Sequence, residues 1–503
     1  MTEKAPSGVI DSFRYAFSSP ARLRTEVFAG MTVALALIPE SIAFSILAGV
    51  DPAVGLFATV IMAITISFTG GRPAMITAAT GAIALVIAPV MRDHGFDYFI
   101  ATVILGGIFQ ILLAVLGIAR LMRFIPRSVM VGFVNALGIL VFSAQLPHLF
   151  NVPWLVYPLV AVGLVIVVGL PRLTTVVPAP LVAIVVLTAM VLAFGWSVPN
   201  VGDMGQLPSS LPGLLLPDVP LTLETFSIIA PYALGMAVVG IMESLMTAKL
   251  VDDITDTHSD KTRESWGQGV ANIVTGFFGG MGGCGMIGQT MINVRESGAR
   301  TRLSTLISGV FLLVLMLTLN NLVGQIPMAA LVAVMIVVSL GTIDWHSLHP
   351  RTLKFMPLSE TTAMLVTVVG TLGTGNLAVG VVLGVLTAMV TFTRRVAHLV
   401  RLEMVEELDT TGDGHPNIRT YKVHGQLFWA SSNDLVYQFD YNDEAEHIII
   451  DLSAAEIWDA STVATLDSIT HKFQQRGKTV EIIGLDGPSK WRLDHLSGQL
   501  GEG

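Results

Sequence analysis

Cysteine is almost absent from this sequence. Cys284 is the only one in 503 residues, which excludes an intrachain disulfide and a thiolate metal cluster. Charge is scarce as well: 13% of the residues are charged against 52% hydrophobic, with a mean hydropathy of +0.70. That balance excludes one ordinary soluble domain and implies a polytopic membrane protein whose first partner is the lipid bilayer. No phosphate-binding glycine loop is attached to a Lys-Ser or Lys-Thr pair, so nucleotide-driven transport has no support. No basic stripe offers a nucleic acid a footprint. His258, His346 and His349 lack partners at metal-ligand spacing. Asp252, Asp253, Asp256 and Asp260 share the composition of a calcium loop without its central glycine and final glutamate, and read as a solvated loop. No metal or other cofactor is implied. The formal net charge of -9 marks no single partner surface, because the acidic residues gather in loops and toward the C-terminus.

Lysine and arginine are missing from long stretches. Residues 25–71, 128–171, 173–248, 264–294, 303–350 and 355–393 contain neither, and 73–119 contains Arg92 alone. Each of these seven stretches accommodates two crossings of about 20 residues, allowing for short or broken helices, which predicts fourteen transmembrane segments. Cations cluster between them, at Arg72, at Arg120, Arg123 and Arg127, at Arg172, at Lys261 and Arg263, at Arg300 and Arg302, and at Arg394 and Arg395. Such a bias marks cytoplasmic loops. Both termini are therefore expected inside, in an inner (plasma) membrane, with Arg92 the outward exception and 197–225 an external loop. No cleavable signal pattern precedes the apolar run 28–50, which is itself about long enough to span a bilayer.

What the apolar stretches do contain is a repeated interruption. Glu40-Ser41 is followed by Phe68-Thr69-Gly70-Gly71, and Glu243-Ser244 by Phe277-Phe278-Gly279-Gly280. An ionisable side chain in hydrocarbon is costly unless it faces a wet, protein-lined cavity. Interrupted segments at corresponding positions of two halves point to the binding site of a transporter. Pro73 with the glycines before it opposes a helix, as do the glycines of 279–285. A helix starts anew near Ala79-Thr80-Gly81 and runs to Pro89, and a short one starts near Gln289-Thr290. Non-helical backbone at membrane depth must line protein or a water-filled cavity, so two half-helices are expected to meet near mid-membrane with exposed N-termini. Such ends attract anions. Close helix packing alone could also use these glycines, but it does not account for the recurrence of the break.

Residues 38–52 and Gly55-Leu56-Phe57 in the first half, with Ala271-Asn272, Phe277-Phe278-Gly279-Gly280, Gly285-Met286-Ile287-Gly288-Gln289 and Gly298-Ala299-Arg300-Thr301 in the second, resemble the sulfate permease (SulP) family, the solute carrier 26 type of anion transporter. The resemblance spans nearly the whole chain. It implies a polytopic α-helical membrane protein with a seven-plus-seven inverted repeat of core and gate domains, and secondary transport of inorganic anions or small carboxylates by alternating access. It implies a transporter rather than an enzyme and, by analogy, a homodimer. Glu40 and Phe44 are placed on the first helix, Thr80 at the first half-helix, Glu243 on the eighth helix, and Gln289 and Thr290 at the second half-helix. Glu40 stands where the family commonly has Gln, and Asn376-Leu377 where Asp-Leu is common.

Glu40 and Phe44 are four residues apart and share one helix face. Phe44 is either an aromatic wall for the substrate or ordinary packing. Gln289 and Thr290 can donate side-chain hydrogen bonds. No permanent cation falls between the half-helices, since Arg295 is expected at the membrane boundary. Two carboxylates beside an anion require that one be neutralised, either by a proton on Glu243 or Glu40, or by sodium held by Glu243 and backbone carbonyls. The leading expectation is a proton-coupled symporter of a carboxylate or dicarboxylate. The alternatives are a sodium-coupled bicarbonate or sulfate transporter, or an anion channel.

Composition shifts from apolar to mixed after Arg394-Arg395. Residues 401–413 read as a charged connector, 425–430 and 446–452 as strands, 460–476 as a helix and 479–484 as a strand, giving a small cytoplasmic α/β domain. It resembles the STAS domain of anti-sigma-factor antagonists, which proteins of this family carry at their C-termini. Asp459-Ala460-Ser461-Thr462 stands where that domain can bear a phosphorylated serine, and Ser461 is expected as a helix N-cap. The expected organisation is a cytoplasmic segment 1–25, a transport domain 26–395, a linker 396–414 and the STAS domain 415–503.

Overall fold

The computed structural model describes residues 8–117, 125–173, 178–207, 210–397, 400–408 and 418–499. Arg120, Arg123 and the end of the charged connector at Asp413 lie outside them. The chain forms two compact units, Met1–Val385 and Leu386–Gly503.

In the first unit α1 (Val9–Ala16) precedes α2 (Pro20–Ala48), α3 (Pro52–Thr69), β1 (Thr77–Ala79), α4 (Gly81–His94), α5 (Phe96–Val115), α6 (Arg127–Ser143), α7 (Val156–Gly169) and α8 (Ala179–Phe194). The second half follows with α9 (Leu223–Thr255), α10 (Lys261–Phe277), β2 (Gly283–Gly285), α11 (Ile287–Met291), a π-helical turn Ile292–Glu296, α12 (Arg302–Gly324), α13 (Met328–Thr342), α14 (Pro350–Phe355) and α15 (Leu358–Thr374), after which α16 (Leu377–Ala397) contains the boundary between the units. Among the described residues, seven helices are long and apolar enough to cross a bilayer by length and composition, and three more are apolar but shorter. The expected fourteen segments include half-helices that no such length rule admits. Pro20 and Pro52 open α2 and α3 at the first turn, where a missing N–H costs nothing. Pro39 lies inside α2 and leaves the carbonyl one turn earlier without its helical donor, directly before Glu40.

Helices α2, α3, α4, α5, α9, α10 and α12 pack around the two short strands, while α6, α7, α8, α13 and α15 pack on one another. The groups meet where α2 touches α8 and α13, and where α4 touches α6. Helices α5 and α10 cross closely. A Cβ on Gly107 or Gly269 would come within 2.6 Å of the other's carbonyl oxygen, so glycine sets the approach. Strands β1 and β2 pair antiparallel, with Thr77 opposite Gly285, Ala78 opposite Cys284 and Ala79 opposite Gly283. Both segments are non-helical, as their prolines and glycines predict; their pairing with each other has no signature in the sequence.

The second unit contains β3 (Arg401–Leu408), β4 (Ile418–Leu427), α17 (Trp429–Leu435), β5 (His447–Ile457), α18 (Ala460–Gln474), β6 (Thr479–Ile483) and α19 (Gly487–Leu496). The sheet order is β3-β4-β5-β6, the first pair antiparallel and the others parallel. Ile448, Ile450 and Leu452 alternate inward along β5 and share one core with Val463, Leu466 and Phe473 of α18. Burial would raise the Asp443 carboxyl, but hydrogen bonds from Arg419, the Ala445 backbone and Tyr421 hold it below the usual carboxylate range.

Three details correct the sequence expectation. Residues 401–408 are a strand rather than connector: Leu402 packs on the core while Arg401 and Glu403 face out, as charges on an edge strand do. The strand expected through Ala430 ends at Leu427, because Ser431 Oγ accepts from Phe428 N at 3.1 Å and the Asp459 carboxylate accepts from Trp429 N at 2.7 Å, which starts a helix. Asp459, not Ser461, caps α18, accepting from Thr462 N at 3.0 Å; Ser461 lies inside the first turn.

Candidate functional site

Each break leaves backbone N–H and C=O groups outside any helix, and at membrane depth each must find a partner. Side chains supply what the β1–β2 pairing does not. Asn272 of α10 takes Gly283 at both ends, its Oδ1 accepting from the N–H at 2.9 Å and its Nδ2 donating to the carbonyl at 3.1 Å. Ser244 Oγ accepts from Gly285 N at 2.9 Å. Thr59 Oγ1 accepts from Ala79 N at 3.3 Å and lies 2.7 Å from Ser41 Oγ. The serine of each Glu-Ser pair is thus a splint for a break, Ser244 directly and Ser41 through Thr59.

Two more buried carboxylates clamp the loops beside the breaks. Glu264 Oε2 accepts from Gly71 N at 2.8 Å and Arg72 N at 3.0 Å, and its Oε1 accepts from Gln268 Nε2 at 2.8 Å. Glu26 Oε1 accepts from Arg300 N at 2.7 Å and Thr301 N at 3.0 Å. Neither stands out in the sequence as the Glu-Ser pairs do. For Glu264 a signal exists, since Glu264, Gln268 and Asn272 recur every four residues and form a polar stripe on a membrane helix. Asp252 departs from the solvated-loop expectation, since it takes Arg72 at 2.9 Å and Lys261 at 2.5 Å, whereas Asp253, Asp256 and Asp260 are exposed.

The residues expected to line the site are brought together through these breaks. Glu40, only 7% exposed, accepts a hydrogen bond from Gln289 Nε2 and so joins α2 to the second half-helix. Phe44, one turn further along α2, packs on the first half-helix: a Cβ on Gly81 would lie 2.8 Å from its ring. Thr80 stands at the start of α4, its Oγ1 3.1 Å from Cys284 Sγ. Cys284 in turn donates to Glu243 Oε2 at 2.9 Å. Thr290 differs in kind, because its hydroxyl accepts from Ile76 N at 3.0 Å and is committed to holding the break. Arg295 is exposed in the π-helical turn.

Neither α4 nor α11 has a side-chain cap at its start, which leaves first-turn N–H groups for water or an anion. Two cavities flank the group along α2. One of about 640 Å³ is lined by Thr25, Phe28 and Thr32 with Pro178, Ile292 and Glu296. The other, of about 260 Å³, is lined by Ala43, Ile46 and Leu47 with Gln145, His148 and Leu331. Glu40 falls between them on the helix, and both cavities lie where the two packing groups meet.

The description of the Sulfate permease family matches residues 23–158 and 151–368. The chain belongs to that family. The STAS domain description matches 410–496, so this sulfate permease-type protein is a multi-pass membrane protein of an anion-transporter family with a C-terminal STAS domain. It is 52% identical over 475 residues, 94% of this chain and 97% of the other, to YbaR of Bacillus subtilis (strain 168), provisionally named a sulfate transporter. It is 25% identical over 94% of its length to the bicarbonate transporter BicA of Picosynechococcus, of which 91% is covered. Among solved structures, the transmembrane domain of a cyanobacterial BicA matches with a TM-score of 0.62 and 26% identity, covering 74% of this chain and 97% of that one. The inward-facing murine Slc26a9 anion transporter shares the fold, with a TM-score of 0.81 at 15% identity over 97% of this chain and 89% of that one.

Proposed function

We propose that the protein moves a small inorganic oxyanion, sulfate or bicarbonate, across the plasma membrane by alternating access, with a cation taken up at Glu243. The observation that carries this reading is the β1–β2 pairing, which sets an uncapped α4 and the Gln289-bearing α11 against the Glu40–Phe44 face of α2. Relatives named for sulfate and bicarbonate support an inorganic oxyanion in place of the carboxylate or dicarboxylate that leads from sequence alone. A site made of helix ends and amides suits an ion that must also leave. The cavities on either side of Glu40 support access from both faces, one packing group moving against the other. The Lys/Arg pattern supports cytoplasmic termini, and a homodimer is carried over from the family.

Two coupling ions fit Glu243. The Thr247 hydroxyl donates to the Glu243 backbone carbonyl at 2.9 Å and lies 3.1 Å from the Gly285 carbonyl, a cluster of hard oxygens on the helix turn that carries Glu243, which favours sodium. A proton needs no such cluster, and Glu243 is buried with the Cys284 thiol as its hydrogen-bond partner. Uptake of labelled sulfate, bicarbonate and a C4-dicarboxylate into proteoliposomes, under an inward sodium or proton gradient, separates them. One oxyanion is expected to accumulate with one gradient and to lose that accumulation in Glu243→Gln. Accumulation of the dicarboxylate alone would return the substrate class to a carboxylate, and mere equilibration under both gradients would make the protein a channel.

A further inference from the structure

Cys284 is the one titratable side chain in hydrogen-bond contact with Glu243 among the described residues, and it is also the one side chain hydrogen-bonded to the Thr80 hydroxyl. It is completely buried. It sits in β2 opposite Ala78, between α9, which carries Glu243, and the start of α4, where Thr80 precedes the Gly81 that touches Phe44. A thiol at this place joins the cation side of the site to its anion side. We propose that Cys284 is a positioning residue that couples the two ions, by reversing the direction of the hydrogen bonds from Glu243 to Thr80. The proposal rests on the coupling role given above to Glu243.

The thiol has one hydrogen to give and lone pairs to receive. With Glu243 ionised, the S–H donates to Oε2, and the sulfur then accepts from the Thr80 hydroxyl. In that state the Thr80 hydrogen points at sulfur and is withheld from an anion. A proton placed on Glu243 Oε2 makes that oxygen a donor to sulfur, and a cation bound at Oε2 competes with the S–H for it. The S–H then turns to Thr80 Oγ1, and the Thr80 hydroxyl hydrogen is released to an anion at the start of α4. No bond to hydrogen breaks at sulfur or at Thr80; only the donor directions change. Neutralising Glu243 thereby readies the donor that an anion needs, and a bound anion favours the neutralised Glu243, as linkage between two sites requires.

Because the chain has one cysteine, its S–H stretching band in the infrared belongs to Cys284 alone. In the purified full chain in lipid, inorganic sulfate or bicarbonate with the coupling ion is expected to move that band toward a weaker hydrogen bond, and Glu243→Gln is expected to move it without any anion. In proteoliposomes Cys284→Ser, which keeps a donor and an acceptor, is expected to accumulate anion to within about threefold of wild type, while Cys284→Ala loses roughly tenfold or more, the worth of one hydrogen bond to a charged group. The KM for the anion at saturating coupling ion is expected to stay within about threefold in Cys284→Ala, since the site itself is kept. An S–H band that ignores both ligands in a wild type that transports would overturn the relay. So would equal losses in the serine and alanine variants, which would make Cys284 a packing residue. If Cys284→Ala does not fold, the wild-type band decides. A wild type that takes up no anion at all would instead remove the transport reading, and the relay with it.

Discussion

The two broken helices hold corresponding places in the two halves and are built differently. The first resumes as α4, 14 residues of α-helix with Pro89 inside it, whereas the second resumes as five residues of α11 that pass into the π-helical turn Ile292–Glu296. Their supports differ too. The second break is held from its own half, by Asn272 and Ser244. The first is held largely from the opposite half: Glu264 takes Gly71 and Arg72, Gln268 donates to Thr77 Oγ1 at 2.9 Å, and Thr290 takes Ile76. A repeated topology therefore does not repeat its chemistry. The first half presents a helix start without a side-chain cap, and the second presents the Gln289 amide, hydrogen-bonded to Glu40, on a short helix that runs into an irregular turn of a kind found at functional sites.

The widest separation should come from removing a clamp. Glu264→Ala leaves two buried backbone N–H groups without their acceptor and takes one of two acceptors from the Gln268 amide, a loss of about 3–5 kcal/mol. Glu26→Ala strands the N–H groups of Arg300 and Thr301, at about 2–4 kcal/mol. Thermal unfolding in detergent, read with the yield of monodisperse protein, should rank Glu264→Ala as the more damaging. The opposite ranking would mean that the first break does not depend on the second half.

A smaller contrast lies in the serines. Ser244→Ala removes the direct acceptor of Gly285 N, for about 1–3 kcal/mol. Ser41→Ala removes only a partner of Thr59, which keeps Ala79 N, for about 1 kcal/mol or less. The same unfolding measurement applies. Equal losses would show that Thr59 cannot hold its break without Ser41.

How far the sequence reveals this arrangement follows from the kind of contact involved. The breaks were legible, because proline and runs of glycine disfavour helix whatever surrounds them. Glu40 and Glu243 were legible because charge in hydrocarbon is rare. Glu264 and Glu26 were less so, since a carboxylate near a helix end reads as an interfacial residue until its loop donors are known. Cys284 carried no signal at all: its meaning lies in the β1–β2 register, a contact between segments about 200 residues apart that local patterns do not encode. The STAS strands of β5 and β6 show in their alternation, but β3 was hidden by the charges that an edge strand prefers.

The finest test of the contrast compares two glycines at the starts of the half-helices. In Gly81→Ala the new Cβ would lie 2.8 Å from the Phe44 ring and 3.4 Å from Val141, so the buried ring must shift, at about 1–3 kcal/mol. Anion uptake should fall with stability, and adding Phe44→Leu, a smaller side chain, should restore the stability. Gly288 has nothing within 4 Å of its would-be Cβ. Gly288→Ala should therefore leave stability unchanged or raise it by up to about 1 kcal/mol through helix propensity. No described residue fills the space beside Gly288. If the anion rests there, Gly288→Ala lowers uptake while the protein melts no earlier, and stability and transport part company at the second half-helix although they move together at the first. Unchanged uptake in Gly288→Ala would place the anion against α4 alone and assign recognition to the first half.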